Sequence, residues 1–283
     1  MTRAERGGLL AAALVAGPVL VGLAYAVLGA VDVTGVGASG RASLVRTLSV
    51  LSQESVWRGT AWTLWVALSS TVVATLGAIV LAVSFRSTAS LDRVARTLAI
   101  VPLPIPHVVA GVMGVLILGQ SGLLARMAHT LGLIATPGQM PALVFDPLGI
   151  GLILTLVWKE IPFLSLIAFS VLASRGLEME ETARTLGAGS WETLRRITIP
   201  ILLRGLLPAA VAVFAFAAGT YELALLLAPS DPLALPLQTM ERYTDSSLLR
   251  RGDAFVLALL AMAIGAAAVA LHEIARDRTG VGS

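Results

Sequence analysis

Six stretches of this chain are each long and apolar enough to cross a lipid bilayer, and no other feature narrows the fold so far. They fall at approximately 8–31, 60–84, 98–119, 148–172, 206–228 and 253–274. A helix needs about 20 apolar residues to cross roughly 30 Å of hydrocarbon. In lipid, backbone polar groups must be satisfied within the segment, so each stretch is expected to be helical. The alternating strands of about ten residues that mark a membrane barrel are missing. The expected fold is an all-α integral membrane protein with six transmembrane helices, read as one polytopic domain over 1–283. Composition agrees: 57% of the residues are hydrophobic and 13% are charged, against about 25% charged in a soluble domain.

Orientation follows from arginine. With the N-terminus placed in the cytoplasm, the inward segments hold twelve arginines and the outward loops seven, although the outward loops are longer in total. Basic residues concentrate on the cytoplasmic side, so both termini are expected inside, as is the loop at 173–205. The first stretch has a rival reading. "MTRAERGGLLAAALVAGPVLVGLAYA" carries basic residues, an apolar run and an A-x-A ending at Ala26, as a signal peptide does. Its run exceeds the roughly 7–15 residues of a signal core and continues through Val31, so an uncleaved span is expected.

The loop at 173–205 is the most charged part of an apolar chain. Glu178, Glu180 and Glu181 suit the positive end of a helix dipole. Gly187 and Gly189 then interrupt the pattern, and Ser190 can cap a second helix with Glu192 in its first turn. Trp191, Leu194 and Ile197 share one helical face there, and Pro200 marks a break or a new start. The expected shape is helix, glycine elbow, helix, lying flat on the membrane surface. Periodicity alone also fits an interfacial amphipathic linker whose arginines meet anionic lipid.

The spacing goes further. From Glu181 the chain reads Glu, Thr182, Ala183, three residues, Gly187, nine residues, Ile197, Thr198, Ile199, Pro200. This resembles the EAA loop of permease subunits in binding-protein-dependent type I ABC importers, EAA, three residues, G, nine residues, I-x-L-P. Thr182 replaces an alanine and Ile199 the leucine. The resemblance implies a coupling helix between the fourth and fifth spans that docks on a cytoplasmic ATPase, with Glu181 and Gly187 at the joint and Ala183 and Leu186 packing beside them. It also implies a dimer of ABC ATPase subunits, a second permease (identical or different), an extracytoplasmic solute-binding protein and surrounding membrane lipid.

The energy source must lie elsewhere. A phosphate-binding loop needs G-x-x-x-x-G-K-[ST], and the only lysine, Lys159, follows Trp158 and precedes Glu160. ATP and its magnesium are therefore expected on a partner chain, with no cofactor here. His107, His129 and His272 are isolated, and neither H-E-x-x-H nor G-x-S-x-G occurs. The absence of cysteine excludes disulfides, thiolate catalysis and cysteine-bound metal. Catalysis by this chain is not expected, and no basic face for nucleic acid is present.

Four polar residues in the spans are candidates for the translocation path. Lys159 and Glu160 fall near the centre of the fourth span, where a charge costs about 2.5–3.5 kcal/mol on insertion scales. Either could contact solute, or the pair could bridge to a partner subunit. Pro162 leaves a carbonyl free and can kink that span. Tyr221 and Glu222, near the outer end of the fifth span, are read as solute contacts or interface anchors. Prolines at 102, 104 and 106 predict a kinked or irregular start to the third span. The outer loop at 228–253 is expected to be partly helical near Gln238–Tyr243, and is either a binding-protein contact or a solvated connector. "GTYELALLLAPSDPLALP" with "ERYTD" is loosely similar to the polyamine, ferric-ion and thiamine branch of these permeases. The rival classes are an ion-coupled secondary transporter and a non-transporting membrane scaffold.

Overall fold

The computed structural model describes residues 3–35, 39–86 and 90–278, and among them there are helices and turns but no strand. The helices are α1 (Arg3–Ala30), α2 (Val45–Leu51), α3 (Glu54–Ser84), α4 (Ser90–Ala99), α5 (His107–Leu118), α6 (Leu123–Thr130) and α7 (Ile150–Val171). They continue with α8 (Leu177–Thr185), α9 (Ser190–Thr193), α10 (Ile199–Gly219), α11 (Glu222–Leu227), α12 (Leu235–Thr244) and α13 (Arg251–Arg278). Among the described residues six stretches are long and apolar enough to cross a membrane: Ala12–Ala30, Glu54–Ser84, His107–Thr130, Ile150–Ser174, Ser190–Gly219 and Leu248–Ile274.

The centre of the bundle is α3, α7 and α10. On α3, Ala74, Ala78 and Ala82 recur every fourth residue on one fully buried face. Small residues let helix backbones approach closely where lipid offers no hydrophobic drive to pair. Against that face pack Leu164 and Ala168 of α7 and Leu202, Leu206 and Val213 of α10. Further along the bundle, Trp62 and Val66 of α3 meet Leu152 and Leu156 of α7, Ala110 of α5, and Leu223 and Leu227 of α11. The opposite face of α3, with Val72, Val73, Leu76 and Val80, is exposed, as a lipid-facing surface requires.

At the flank, α1 lies against α13, with Tyr25 edge-on to Phe255 at 5.4 Å between ring centroids. Gly29 also abuts Phe255, so the last turn of α1 meets the first turns of α13 and the two helices run antiparallel. The start of α3 faces α12, which in turn packs on α13. The far ends of α1, α3 and α13 therefore share one end of the bundle with the 177–198 hairpin, which is tied to the end of α3.

Three of the expected spans differ in their bounds. The third does not run 98–119 as one helix: turns occupy the stretch between Ala99 and His107, and α5 begins only after Pro106. Prolines 102, 104 and 106 have no N–H to give a helix, which is the irregular start that their spacing implies. The fifth is a continuous helix from Ser190 to Gly219 rather than 206–228. It ends at Gly219, and after a break the chain resumes as α11, whose Leu223 and Leu226 lie against Gly111 and whose Leu227 lies near Gly114 of α5. Tyr221 and Glu222 thus sit at a break alongside α5, not on a helix that continues to the surface. The second span begins at Glu54, earlier than the expected 60.

Candidate functional site

The 173–205 region is a hairpin continuous with the helices on either side. Helix α7 passes through a π turn at Leu172–Gly176 into α8, and α9 passes through a second π turn at Leu194–Thr198 into α10. No free helix N-terminus exists at 177, so the three glutamates do not serve a dipole there. Ser190 is the first residue of α9, and Gly189 occupies the cap position with no side-chain bond. Pro200 breaks nothing, because the wide turn before it already releases the backbone bond that proline cannot make.

The elbow has a defined geometry. Ala188 N–H donates to Ala183 C=O at 3.0 Å and Gly187 N–H to Arg184 C=O at 3.0 Å. This nested pair closes α8 as a Schellman motif with Gly187 in the left-handed position, φ +91°. A residue with a Cβ is strained at that angle. The glycine that the spacing singled out is therefore required by the turn.

The arms are locked at their root by a residue that the spacing did not single out. Glu180 is 2% exposed. Its Oε1 accepts from Thr198 Oγ1 at 2.6 Å and from Arg86 Nη1 at 3.0 Å, and Arg184 Nη2 approaches Oε2 at 3.5 Å. Glu181, one residue on, is exposed. On the second arm the buried residues are Thr193 and Thr198, five apart across the π turn. The apolar face expected from Trp191, Leu194 and Ile197 is not the buried one, because the π turn adds a residue and rotates the register.

The tip is different in character. Leu186 is 83% exposed and Trp191 is 71% exposed, on a hairpin whose arms expose mostly charged and hydroxyl side chains together with Met179. Ala183 is half-buried and Gly187 exposed. Leu186 is thus hardly covered by the described residues.

A second polar cluster lies inside the bundle. Lys159 is 4% exposed and donates to the carbonyls of Pro102 at 3.1 Å and Leu103 at 2.8 Å. Those acceptors belong to the proline turn before α5. Hydrogen bonds to a charged group contribute about 1.5–3 kcal/mol each, enough to offset the roughly 2.5–3.5 kcal/mol of placing the charge there. Glu160 has no such compensation. It is 7% exposed, accepts no hydrogen bond among the described residues, and has the His107 imidazole Nε2 at 3.7 Å. The two share a cavity of about 310 Å³ with Lys159, Leu103, Phe163 and Phe216. His107, isolated in the sequence, stacks on Phe216 with centroids 4.8 Å apart. Tyr221 and Glu222 do not line this cavity; Tyr221 is half-buried and Glu222 exposed.

The opposite end is also built. Helix α12 extends the helical stretch expected near 238–243 and is fastened to α3. Leu235 N–H donates to Thr63 Oγ1 at 2.9 Å, Gln238 Nε2 to Ser55 C=O at 2.9 Å, and Arg242 Nη2 to Gln53 Oε1 at 2.7 Å. Arg46 links Asp32 at 2.6 Å with Asp253 at 3.3 Å, joining the ends of α1 and α13. Gln238 and Arg242 are buried, so α12 is packed on the bundle, while residues 246–251 are exposed.

The family model described as "Binding-protein-dependent transport system inner membrane component" matches residues 74–280. The sulfate transport system permease protein CysW of Synechocystis sp. is 31% identical over 186 residues, 63% of this chain and 61% of that protein, less than two thirds of its length. The molybdenum transport system permease protein ModB of Mycobacterium tuberculosis is 31% identical over 219 residues, 76% of this chain and 77% of that protein. Among solved structures, a chain of a bacterial alginate ABC transporter in complex with its pentasaccharide-bound periplasmic protein superposes with a TM-score of 0.75 at 18% identity, covering 97% of this chain and 96% of that one.

Proposed function

The chain belongs to the family of binding-protein-dependent transport system inner membrane components, and on that premise we propose that it is the transmembrane permease subunit of an ABC importer. It pairs with a second permease to enclose the solute path, and a soluble binding protein delivers solute to the end formed by α12 and the adjoining loops. The termini and the hairpin face the cytoplasm, in keeping with the excess of arginine in those segments. The hairpin of α8 and α9 is the coupling element, and Glu181, Ala183, Leu186 and Gly187 lie at its joint with a separate ATPase, which binds ATP and magnesium.

One observation carries this reading. The hairpin is tied where it meets the bundle, through Glu180, Arg86 and Thr198, and carries apolar side chains at its exposed tip, Leu186 and Trp191. A lever needs both properties. A push on the tip is transmitted through α8 and α9 into α7 and α10, the helices that wall the Glu160 cavity, and this is what alternating access requires.

The test is co-expression with a cognate ABC ATPase, purification in mild detergent, and uptake by proteoliposomes with and without internal ATP. The importer reading expects co-purification and ATP-dependent uptake. Uptake by this chain alone without ATP would instead identify an ion-coupled carrier, and neither uptake nor ATPase stimulation would identify a scaffold.

A further inference from the structure

The cavity between α5, α7 and α10 has a chemistry that selects among solutes, and the geometry points to a site for a protonated amine, with Glu160 as its counter-ion and Phe163 and Phe216 as its walls. This rests on the importer reading and assigns a solute class to the path. Three features carry it. Glu160 is more than nine-tenths buried and lines the cavity without a hydrogen-bond donor among the described residues. A carboxylate in that state requires a donor, and a charged one satisfies it best. Lys159 shares the cavity wall, but two of its three N–H groups are spent on the Pro102 and Leu103 carbonyls, which leaves Glu160 as the charged group with its hydrogen-bonding capacity unused. Phe163 and Phe216, the latter with His107 stacked on it, add aromatic surface beside the aliphatic Leu103, Ala212 and Val213. Ring faces attract cations and offer nothing to anions.

Size is consistent. About 310 Å³ is at the low end of small-molecule pockets, enough for an ammonium group and a short carbon chain. Sulfate, for which one relative is named, would meet Glu160 as a like charge.

The experiment uses the full chain in lipid nanodiscs and isothermal titration with three probes: n-butylammonium, the uncharged n-butanol and sulfate. Saturable binding of n-butylammonium alone is expected. Glu160→Gln should weaken it by about tenfold or more. Phe216→Leu, which keeps the carboxylate and the apolar volume, should weaken it about threefold. If Glu160→Gln proves misfolded by gel filtration, the Phe216→Leu comparison still decides. Binding of sulfate instead, binding of no probe, or n-butylammonium affinity unchanged in the well-folded variants would each overturn the assignment. Glu160→Gln that loses only pairing with a second permease would make the carboxylate an interface group, also overturning it. These outcomes leave co-purification with the ATPase untouched, so failure of the site and failure of the importer reading are separable.

Discussion

Glu180 and Thr198 meet through a 2.6 Å hydrogen bond across the base of the hairpin, and Arg86 closes on the same carboxylate oxygen at 3.0 Å. One oxygen thus joins both arms to the end of α3. Glu180→Ala removes the acceptor shared by Thr198, Arg86 and Arg184 and should cost about 1.5–3 kcal/mol of local stability. Hydrogen exchange should accelerate over 177–198 while the middle of α3 stays protected. Glu181→Ala, on the exposed neighbour, should stay within about 0.5 kcal/mol. Equal effects from the two variants would mean that the root is held some other way.

Gly187 has open space around the position a Cβ would take, so the cost of Gly187→Ala is conformational. A left-handed alanine costs about 1–2 kcal/mol. Gly187→Pro also removes the N–H that binds Arg184 C=O and demands a negative φ. Both variants should insert at normal abundance, with uptake falling from wild type to alanine to proline. Normal uptake by the proline variant at normal abundance would contradict a coupling role for the elbow.

Lys159→Met should free the Pro102 and Leu103 carbonyls and loosen the turn before α5. The expected loss is about 1–3 kcal/mol, with faster hydrogen exchange at 98–107. Unchanged exchange there would show that the prolines alone hold the turn.

Acid sensitivity should arise at the opposite end. Hydrogen bonds from Arg46, then from Ser39, hold the Asp32 carboxyl below its usual range. A carboxyl depressed in the folded state stabilises above its unfolded pKa of about 3.9 and loses that contribution as pH falls through the folded value. Thermal stability should thus be insensitive to Asp32 between about pH 5 and 8 and decline below about pH 4. Asp32→Asn should lower stability at neutral pH and flatten the acid limb; an unaltered limb would remove Asp32 from the account.

The helical class, the position of the hairpin and the glycine at its turn were all legible in the sequence, because each follows from local chemistry: apolar run length, charge in a loop, and a backbone angle that glycine tolerates. The roles of adjacent residues were not. Glu180 and Glu181 have the same side chain, and which one is buried depends on register through the π turn at 172–176, which has no compositional mark. The same slippage hid the Thr193–Thr198 face behind an apparent apolar stripe. Prolines announced the broken third crossing, but the lysine that fills it lies 57 residues from Pro102. His107 looked solitary because its companions Glu160 and Phe216 are on other helices.

The exposed hairpin tip should touch a nucleotide-hydrolysing partner on the cytoplasmic side. The chain has no cysteine, so Leu186→Cys introduces one thiol at the tip, and a short bifunctional maleimide can join it to the co-expressed ATPase in membrane vesicles. The account expects a crosslinked permease–ATPase product whose yield changes when ATP is bound, and labelling of that thiol by an impermeant maleimide only in inverted vesicles. Labelling from the outer face of intact cells, or no ATPase crosslink from this position in a complex that still transports, would contradict it.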